Sequence, residues 1–170
     1  MNIENIWKDT SDILLLESRK NSFEDTLEVF NSLNHKDKIA IYDNGIKKPN
    51  PYTVWRKVAY LKNTSTPIGF VEFVDTGKRL KDKERKGLTI EIAVKKEYRG
   101  KGVASYLIKE ALKFFKSHDE YQSIIWPVLT SNHSSEHLAI KFGFVYMWTD
   151  EDRNEKAYLI TKAKWLDAMK

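Results

Sequence analysis

The chain has 170 residues, no cysteine, and a formal net charge of +5 at pH 7. Its length suits one domain with one core, residues 1–170, and its 41% hydrophobic and 31% charged residues are typical of a globular protein in water. The missing cysteines exclude disulfides, a thiolate nucleophile and any cysteine-ligated metal. No apolar run is long enough for a membrane span and no signal peptide is recognisable, so the expected location is cytoplasmic, without a membrane partner.

The N-terminal part, residues 1–50, is expected to be mainly helical. Apolar residues at helical spacing predict helices over residues 3–18 and 23–33. Residues 38–42 are a short strand candidate that ends at an Asp-Asn-Gly turn. Residues 47–52 contain two prolines and should form a loop.

The middle of the chain predicts a hairpin and a basic connection. Residues 54–61 and 68–75 are rich in β-branched and aromatic residues and flank a turn-forming segment, so they should pair as antiparallel strands. Residues 78–86 are mostly basic and should project into solvent.

The most informative stretch is a strand, a basic glycine turn and a helix. Residues 88–94 are β-branched and predict a strand, and a helical stripe of apolar residues begins at Val103. Between them lies the glycine turn, which we define as Arg99, Gly100, Lys101, Gly102, Val103 and Ala104. A helix start offers unpaired backbone N–H groups and the positive end of the helix dipole, so this turn predicts an anion site.

The C-terminal part predicts a strand over residues 123–128, a helix that follows Asn132, and strands over residues 144–149 and 156–161. Asn132 suits the N-cap of that helix and Gly143 its C-terminal stop. A mixed sheet with helices on both faces accounts for this order of elements.

Two of these segments resemble the Gcn5-related N-acetyltransferases (GNAT). The glycine turn is similar to their R/Q-x-x-G-x-G/A signature, with Arg99, Gly102 and Ala104 in the three specified places. Residues 132–144 are similar to their N-x-x-[AS]-x-x-L-[YA]-x-K-x-G-F segment. The resemblance implies that the glycine turn binds the pyrophosphate of acetyl-CoA, that the Asn132 side chain meets the pantetheine arm, and that Ser135 belongs to the cofactor-binding set.

The resemblance also implies a fold. Proteins of this family have an α/β architecture with a mixed, mainly antiparallel central sheet, helices on both faces, and two central strands that splay apart around the cofactor. Residues 88–160 would then form the acetyl-CoA-binding core. The N-terminal half would determine which acceptor is used.

Acetyl transfer to an amine requires a base and a hydrogen bond to the thioester carbonyl. The backbone N–H groups of Ile92 and Val94 are candidates for the carbonyl contact. Glu91 is the only acidic residue of its strand and is the candidate general base. The alternative is that Glu91 lies on a solvated face or pairs with a lysine.

The general acid is harder to place. Many GNAT members have a tyrosine seven residues after the motif asparagine, where this chain has Ala139. Tyr146 is our candidate. Tyr106, His133 or a water molecule are alternatives, and the thiolate could also leave unassisted.

His133-Ser134-Ser135-Glu136-His137 also matches the H-x-x-E-H zinc signature. Zinc would need a third ligand on a further helix downstream, and the remaining chain is mostly strand. We therefore expect both histidines on a helix surface and no metal.

The leading interpretation is an N-acetyltransferase that uses acetyl-CoA and an amine acceptor of a small molecule, a peptide or a protein. The replacement at Ala139 keeps open a non-catalytic acyl-CoA-binding module. The basic charge keeps open an aminoacyl-tRNA acetyltransferase, although a nucleic-acid partner is not expected. A homodimer is a further open possibility.

Overall fold

The computed structural model describes residues 16–19, 23–41, 50–62, 64–80 and 86–168, and these build one seven-stranded sheet in the order β1-β2-β3-β4-β5-β7-β6. The strands are β1 (Leu16–Arg19), β2 (Thr53–Leu61), β3 (Pro67–Asp75), β4 (Gly87–Val94), β5 (Ser123–Leu129), β6 (Val145–Asp150) and β7 (Glu155–Thr161). The helices are α1 (Phe23–Asn31), α2 (His35–Ile41), α3 (Thr76–Leu80), α4 (Val103–Ser117), α5 (His133–Lys141) and α6 (Lys162–Ala168). Within the described residues, no helix is long and apolar enough to cross a membrane.

The sheet is mixed and mainly antiparallel, as expected. Only β4 and β5 run parallel, and every other neighbouring pair is antiparallel. A right-handed crossover through a helix is the usual way to join parallel neighbours, and α4 lies in the connection between these two strands. The expected hairpin is confirmed as the β2–β3 pair, and the four strands expected after residue 87 are all present.

The side chains of the central strands alternate between two covered faces. The face toward α4, here the α4 face, carries a core that includes Val71, Phe73, Ile90, Leu107 and Ile108. The opposite face, here the α1 face, packs against α1 and carries a smaller core: Val29, Phe30, Leu33, Val58, Tyr60, Phe70 and Ala93. Because both faces of β3 are covered, each of its nine residues is buried.

Two expectations for the N-terminal part are wrong. Residues 16–18, expected to be helical, lie in β1, where Leu16 pairs with Leu61 on the edge of the sheet. The open edge of β2 therefore outweighs the local helical spacing. Residues 38–41, expected as a strand, belong to α2, because Asn34 caps that helix by accepting a hydrogen bond from the Asp37 N–H at 2.9 Å.

Other expectations are only partly covered by the described residues. Residues 3–15, 42–49 and 81–85 lie outside them, and with them half of the predicted loop over residues 47–52 and most of the basic connection. At the start of that connection, Lys78 lies in α3 with 66% of its side chain exposed. Lys86 is exposed as well.

Candidate active site

The central parallel pair opens along its length. Residues 87–89 of β4 pair with residues 123–125 of β5, and the register ends there. Residues 90–94 continue in β4 alongside β3, while residues 126–129 continue in β5 alongside β7. The two strands therefore diverge after Thr89 and Ile125 and leave a wedge between them, which confirms the expected splay.

Backbone groups of β4 point into this wedge. The N–H of Lys95 donates to the Ile68 carbonyl of β3 at 2.9 Å. Successive N–H groups along a strand point to opposite sides, so the N–H groups of Val94 and Ile92 point away from β3 and toward β5. The Val94 carbonyl accepts from Arg99 Nε at 3.0 Å on that side. The N–H groups of Ile92 and Val94 therefore face the wedge.

The glycine turn lies where β4 leads into α4. Gly100 and Gly102 adopt φ angles of +70° and +83°, which L side chains rarely adopt. A Cβ on Gly100 would meet nothing within 4 Å, so open space faces the backbone there. The first hydrogen bond of α4 is donated by Tyr106 to the Gly102 carbonyl at 2.9 Å. The N–H groups of Val103 and Ala104 precede that bond and suit an anion.

The two basic side chains of the turn differ in their surroundings. The Arg99 guanidinium also donates from NH2 to Asp37 Oδ2 of α2 at 2.8 Å, so this side chain joins the turn to α2. Lys101 is exposed, and its Nζ lies 5.6 Å from the centre of the Tyr98 ring. Among the residues that the structure describes, Lys101 has no ion pair to give up when it reaches an anion, whereas Arg99 must share its guanidinium with Asp37.

Asn132 caps α5 as expected. Its Oδ1 accepts a hydrogen bond from the Ser135 N–H at 3.1 Å, and Ser135 thereby acts through its backbone. The cap occupies the oxygen of the amide and leaves Nδ2 as its donor. Ala139, one helical turn further along and fully buried, packs in the core of the α4 face. The methyl group of this alanine has no proton to donate.

Glu91 lies on the α1 face of β4, in a row of charged residues across three strands. Arg56 of β2 pairs with Glu72 of β3, and Glu72 pairs with Glu91. Glu72 Oε2 lies 2.7 Å from Arg56 Nε and 2.5 Å from NH2, and the Glu72 side chain is 0% exposed. The Oε2 atom of Glu91 is buried, while the residue as a whole is only half-buried.

Burial is the main cause of the pKa shifts of Glu72 and Arg56. Burial raises the pKa of Glu72 well above its ordinary value, and the charge of Glu91 raises it further. Burial also lowers the pKa of Arg56 from its ordinary value, an effect that the Glu91 charge opposes. A carboxyl pair of this kind, next to a wedge, is typical of a site that handles protons.

Sequence reasoning missed Arg56 and Glu72. The available signal was a lone glutamate in an apolar strand, since residues 70–74 otherwise contain only phenylalanine and valine. Such a residue is rarely buried without a partner. Its neighbours in the sheet depend on register, however, and register is not readable from one strand.

The structure does not bring Tyr146 together with Glu91. Tyr146 lies on edge strand β6, two strands beyond β5, is 51% exposed, and its hydroxyl is 2.9 Å from Thr149 Oγ1. Neighbouring strands are about 4.8 Å apart, so β6 is separated from the wedge by roughly 10 Å of sheet. Tyr106 is half-buried against the core of the α4 face, and the His133 side chain is 83% exposed.

The H-x-x-E-H residues form ion pairs and hydrogen bonds. Glu136 accepts from Lys156 Nζ at 2.8 Å and from the Tyr158 hydroxyl, and these bonds lower the pKa of Glu136 to about 2. His133 Nδ1 lies 3.5 Å from Glu136, and His137 is exposed. No group of three or more metal-binding side chains occurs in the part of the chain that the structure describes.

Comparison with known proteins agrees with this geometry. The family model "Acetyltransferase (GNAT) family" matches residues 13–144. No curated protein matches the chain in sequence.

Solved structures share the fold at low sequence identity. A mutant form of the spermidine/spermine N-acetyltransferase of Vibrio cholerae is 20% identical with a TM-score of 0.69, over 92% of this chain and 99% of that one. The spermidine N-acetyltransferase of the same organism, in complex with CoA and spermine, is 20% identical with a TM-score of 0.66, over 89% and 98%. The GNAT domain of an S. lividans protein is 13% identical with a TM-score of 0.68, over 88% and 94%.

Proposed function

Because the chain belongs to the GNAT acetyltransferase family, we propose that it is an acetyl-CoA-dependent N-acetyltransferase whose acceptor is a primary amine. The observation that carries the proposal is the wedge between β4 and β5, which opens beside the glycine turn at the start of α4. A cofactor with a pyrophosphate and a long, narrow arm needs an anion site next to a slot, and these residues supply both.

The glycine turn and Asn132 would form the acetyl-CoA site. The backbone of Gly100, Gly102, Val103 and Ala104 would hold the pyrophosphate, with Lys101 and Arg99 adding positive charge. Open space at Gly100 and the positive φ angles of both glycines allow the close approach that this requires. Asn132 Nδ2 would donate to the pantetheine arm. Acetyl-CoA supplies the activated acetyl thioester.

The chemistry assigned to the protein is modest. The N–H group of either Ile92 or Val94 would hold the thioester carbonyl in the wedge, because N–H groups two residues apart on a strand lie too far from each other to share one oxygen. The glycine turn lies at the start of α4, whereas Glu91 lies on the α1 face. The acceptor amine would therefore approach from the α1 face. Glu91 would take the proton of the acceptor ammonium, directly or through water. We assign no residue as general acid, because neither Ala139 nor Tyr146 is placed for that role.

The test is a binding measurement followed by an acceptor panel. Calorimetry should show acetyl-CoA binding that weakens in the double variant Arg99→Ala/Lys101→Ala. CoA release should then appear with at least one primary amine of a panel that includes spermidine and spermine, since two of the structural relatives are named for these amines. Absence of acetyl-CoA binding would overturn the proposal.

The alanine at position 139, which has no proton to donate, favours a second candidate, a module that binds acyl-CoA without transferring the acyl group. The same experiment separates the two. Tight acetyl-CoA binding without CoA release from any amine between pH 6 and pH 9.5 would select the binding module.

A further inference from the structure

The wholly buried carboxyl of Glu72 has no assigned role in the chemistry above. One of its oxygens, Oε2, accepts both hydrogen bonds from Arg56. The other, Oε1, is buried and has no hydrogen-bond partner among the described residues. An orphaned carboxylate oxygen in the interior is costly, because nothing replaces the water that it has lost. A proton on Oε1 would remove that cost.

Glu91, which lies opposite Glu72 across the β3–β4 pair, also favours a proton on Glu72. Glu91 is the register partner of Glu72, and side chains directly opposite on one face have Cβ atoms about 5 Å apart. Two carboxylates at that separation repel each other, so a pair of this kind retains one proton. A protonated Glu72 can donate a hydrogen bond to the Glu91 carboxylate while its other oxygen still accepts from Arg56.

The charge balance of the α1 face also favours a proton on Glu72. Arg56 is the cation of the row, and with both glutamates ionised the row would carry a net negative charge. The other charged side chains described on the α1 face are already engaged: Asp25 with the Tyr60 hydroxyl, and Lys95 with Glu28 at 2.7 Å. One proton on the acidic pair, Glu72 and Glu91, makes the row neutral.

We propose that Glu72 holds this proton and donates a hydrogen bond to Glu91, and that Glu72 is thereby a positioning residue that keeps Glu91 ionised and fixed beside the wedge. Burial assigns the proton to Glu72, which is 0% exposed, rather than to the half-buried Glu91. The role given to Glu91 rests on the proposed function, whereas the protonation of Glu72 does not.

The first test is a titration of the intact protein with ¹³C-labelled glutamate carboxyl groups, followed by NMR. Glu72→Gln and Glu91→Gln assign the two resonances. We expect the Glu72 carbon to show the chemical shift of a protonated acid at pH 7 and Glu91 that of a carboxylate. An ionised Glu72 at pH 7, or a protonated Glu91, would overturn the proposal. This result requires no acetyl transfer, so it stays informative even if the proposed function fails.

The second test is the pH profile of kcat/KM with an amine from the panel. Glutamine at position 72 is neutral and can donate to Glu91, so in Glu72→Gln the midpoint of the acid limb should stay within about 0.3 pH units of the wild type. If Glu72 were ionised, that substitution would remove a negative charge and move the limb to lower pH by about one unit.

A third variant tests whether the hydrogen bond matters. Glu72→Met has a similar length but no donor, so the Glu91 carboxylate should become easier to protonate and the acid limb should move to higher pH. An unchanged limb in Glu72→Met would reject the positioning role. Glu110→Gln is the matched control, because Glu110 is a carboxylate paired with Lys57 and Lys113 on the α4 face. Circular dichroism checks that each variant folds.

Discussion

At the scale of single residues, the environment of Glu91 decides what its carboxylate can do. Its strand position puts it on the α1 face, opposite the core that packs against α4. The sequence allows two interpretations of Glu91: a general base, or a residue that lies on a solvated face or pairs with a lysine. Its register neighbour on β3 is the buried Glu72, and the role of Glu91 as base stays a proposal that the next variant tests.

Glu91→Gln removes the proposed base. The rate of CoA release should fall about 100-fold at neutral pH, which is within the usual contribution of general acid–base catalysis. The loss should shrink at high pH, where the acceptor is already a free amine. Initial rates from pH 6 to pH 10 measure this, with Glu110→Gln as the control. An equal loss at every pH would argue against Glu91 as the base.

The raised pKa of Glu72 predicts how stability depends on pH. The pKa of Glu72 in the folded protein lies above that of an unfolded glutamate, which is about 4.3. Glu72 therefore stabilises the fold fully below about pH 4.3, and this stabilisation is lost as the pH rises through the folded pKa. Wild type should therefore lose stability relative to Glu72→Gln as pH rises from 5 to 9. Urea unfolding at each pH gives the difference in free energy of unfolding.

Glu110 provides a comparison of opposite sign. Burial raises its pKa, but the hydrogen bonds from Lys113 and Lys57 prevail, and the pKa is lowered overall. Its contribution is therefore present above pH 4.3 and lost as pH falls. Glu110→Gln should approach wild-type stability in acid, and a parallel response of the two variants would contradict both assignments.

At the scale of elements, the start of α4 depends on backbone conformation. Gly102 has φ +83° and precedes the helix directly, so a branched residue there is strained. Gly102→Val should lower the free energy of unfolding by about 1–2 kcal/mol and weaken acetyl-CoA binding by more than tenfold. Gly100→Ala, with φ +70° and no Cβ contact, should lower stability by about 1 kcal/mol and weaken binding less. Calorimetry and urea unfolding separate the two effects.

The start of α5 combines a cap with a proposed ligand contact. Asn132→Asp keeps an oxygen for the Ser135 N–H but loses the amide donor, so stability should be preserved while acetyl-CoA affinity falls. Asn132→Ala loses both and should also lose about 1 kcal/mol of stability. Full affinity in the aspartate variant would show that Asn132 acts only as a cap.

At the scale of the whole molecule, the net charge of +5 should assist the capture of an anionic cofactor. Lys101→Ala should weaken acetyl-CoA binding roughly tenfold at low salt, and the difference from wild type should narrow as salt rises. Lys164→Ala removes the same charge from an exposed position of α6 and is the matched control. Equal effects of the two variants would mean that only net charge matters. Because Arg99 also holds Asp37, the double variant with Arg99→Ala tests the turn less cleanly.

The sequence by itself determined the segments whose signals are local. Two glycines between a β-branched run and an apolar helical stripe predicted the strand, turn and helix around residues 99–104. Asn132 at the start of a helical segment predicted an N-cap, and the structure shows it accepting from the Ser135 N–H. These signals were sufficient because caps, turns and periodicity depend on neighbours only a few residues away.

Only the tertiary structure decided the features that depend on distant pairing. The edge of β2 made residues 16–19 a strand, and register placed Glu72 between Arg56 and Glu91. The wedge itself exists because the end of β4 stays paired with β3 while the end of β5 stays paired with β7. Strand pairing joins residues far apart in the chain, and a shift of one residue would turn each side chain to the other face.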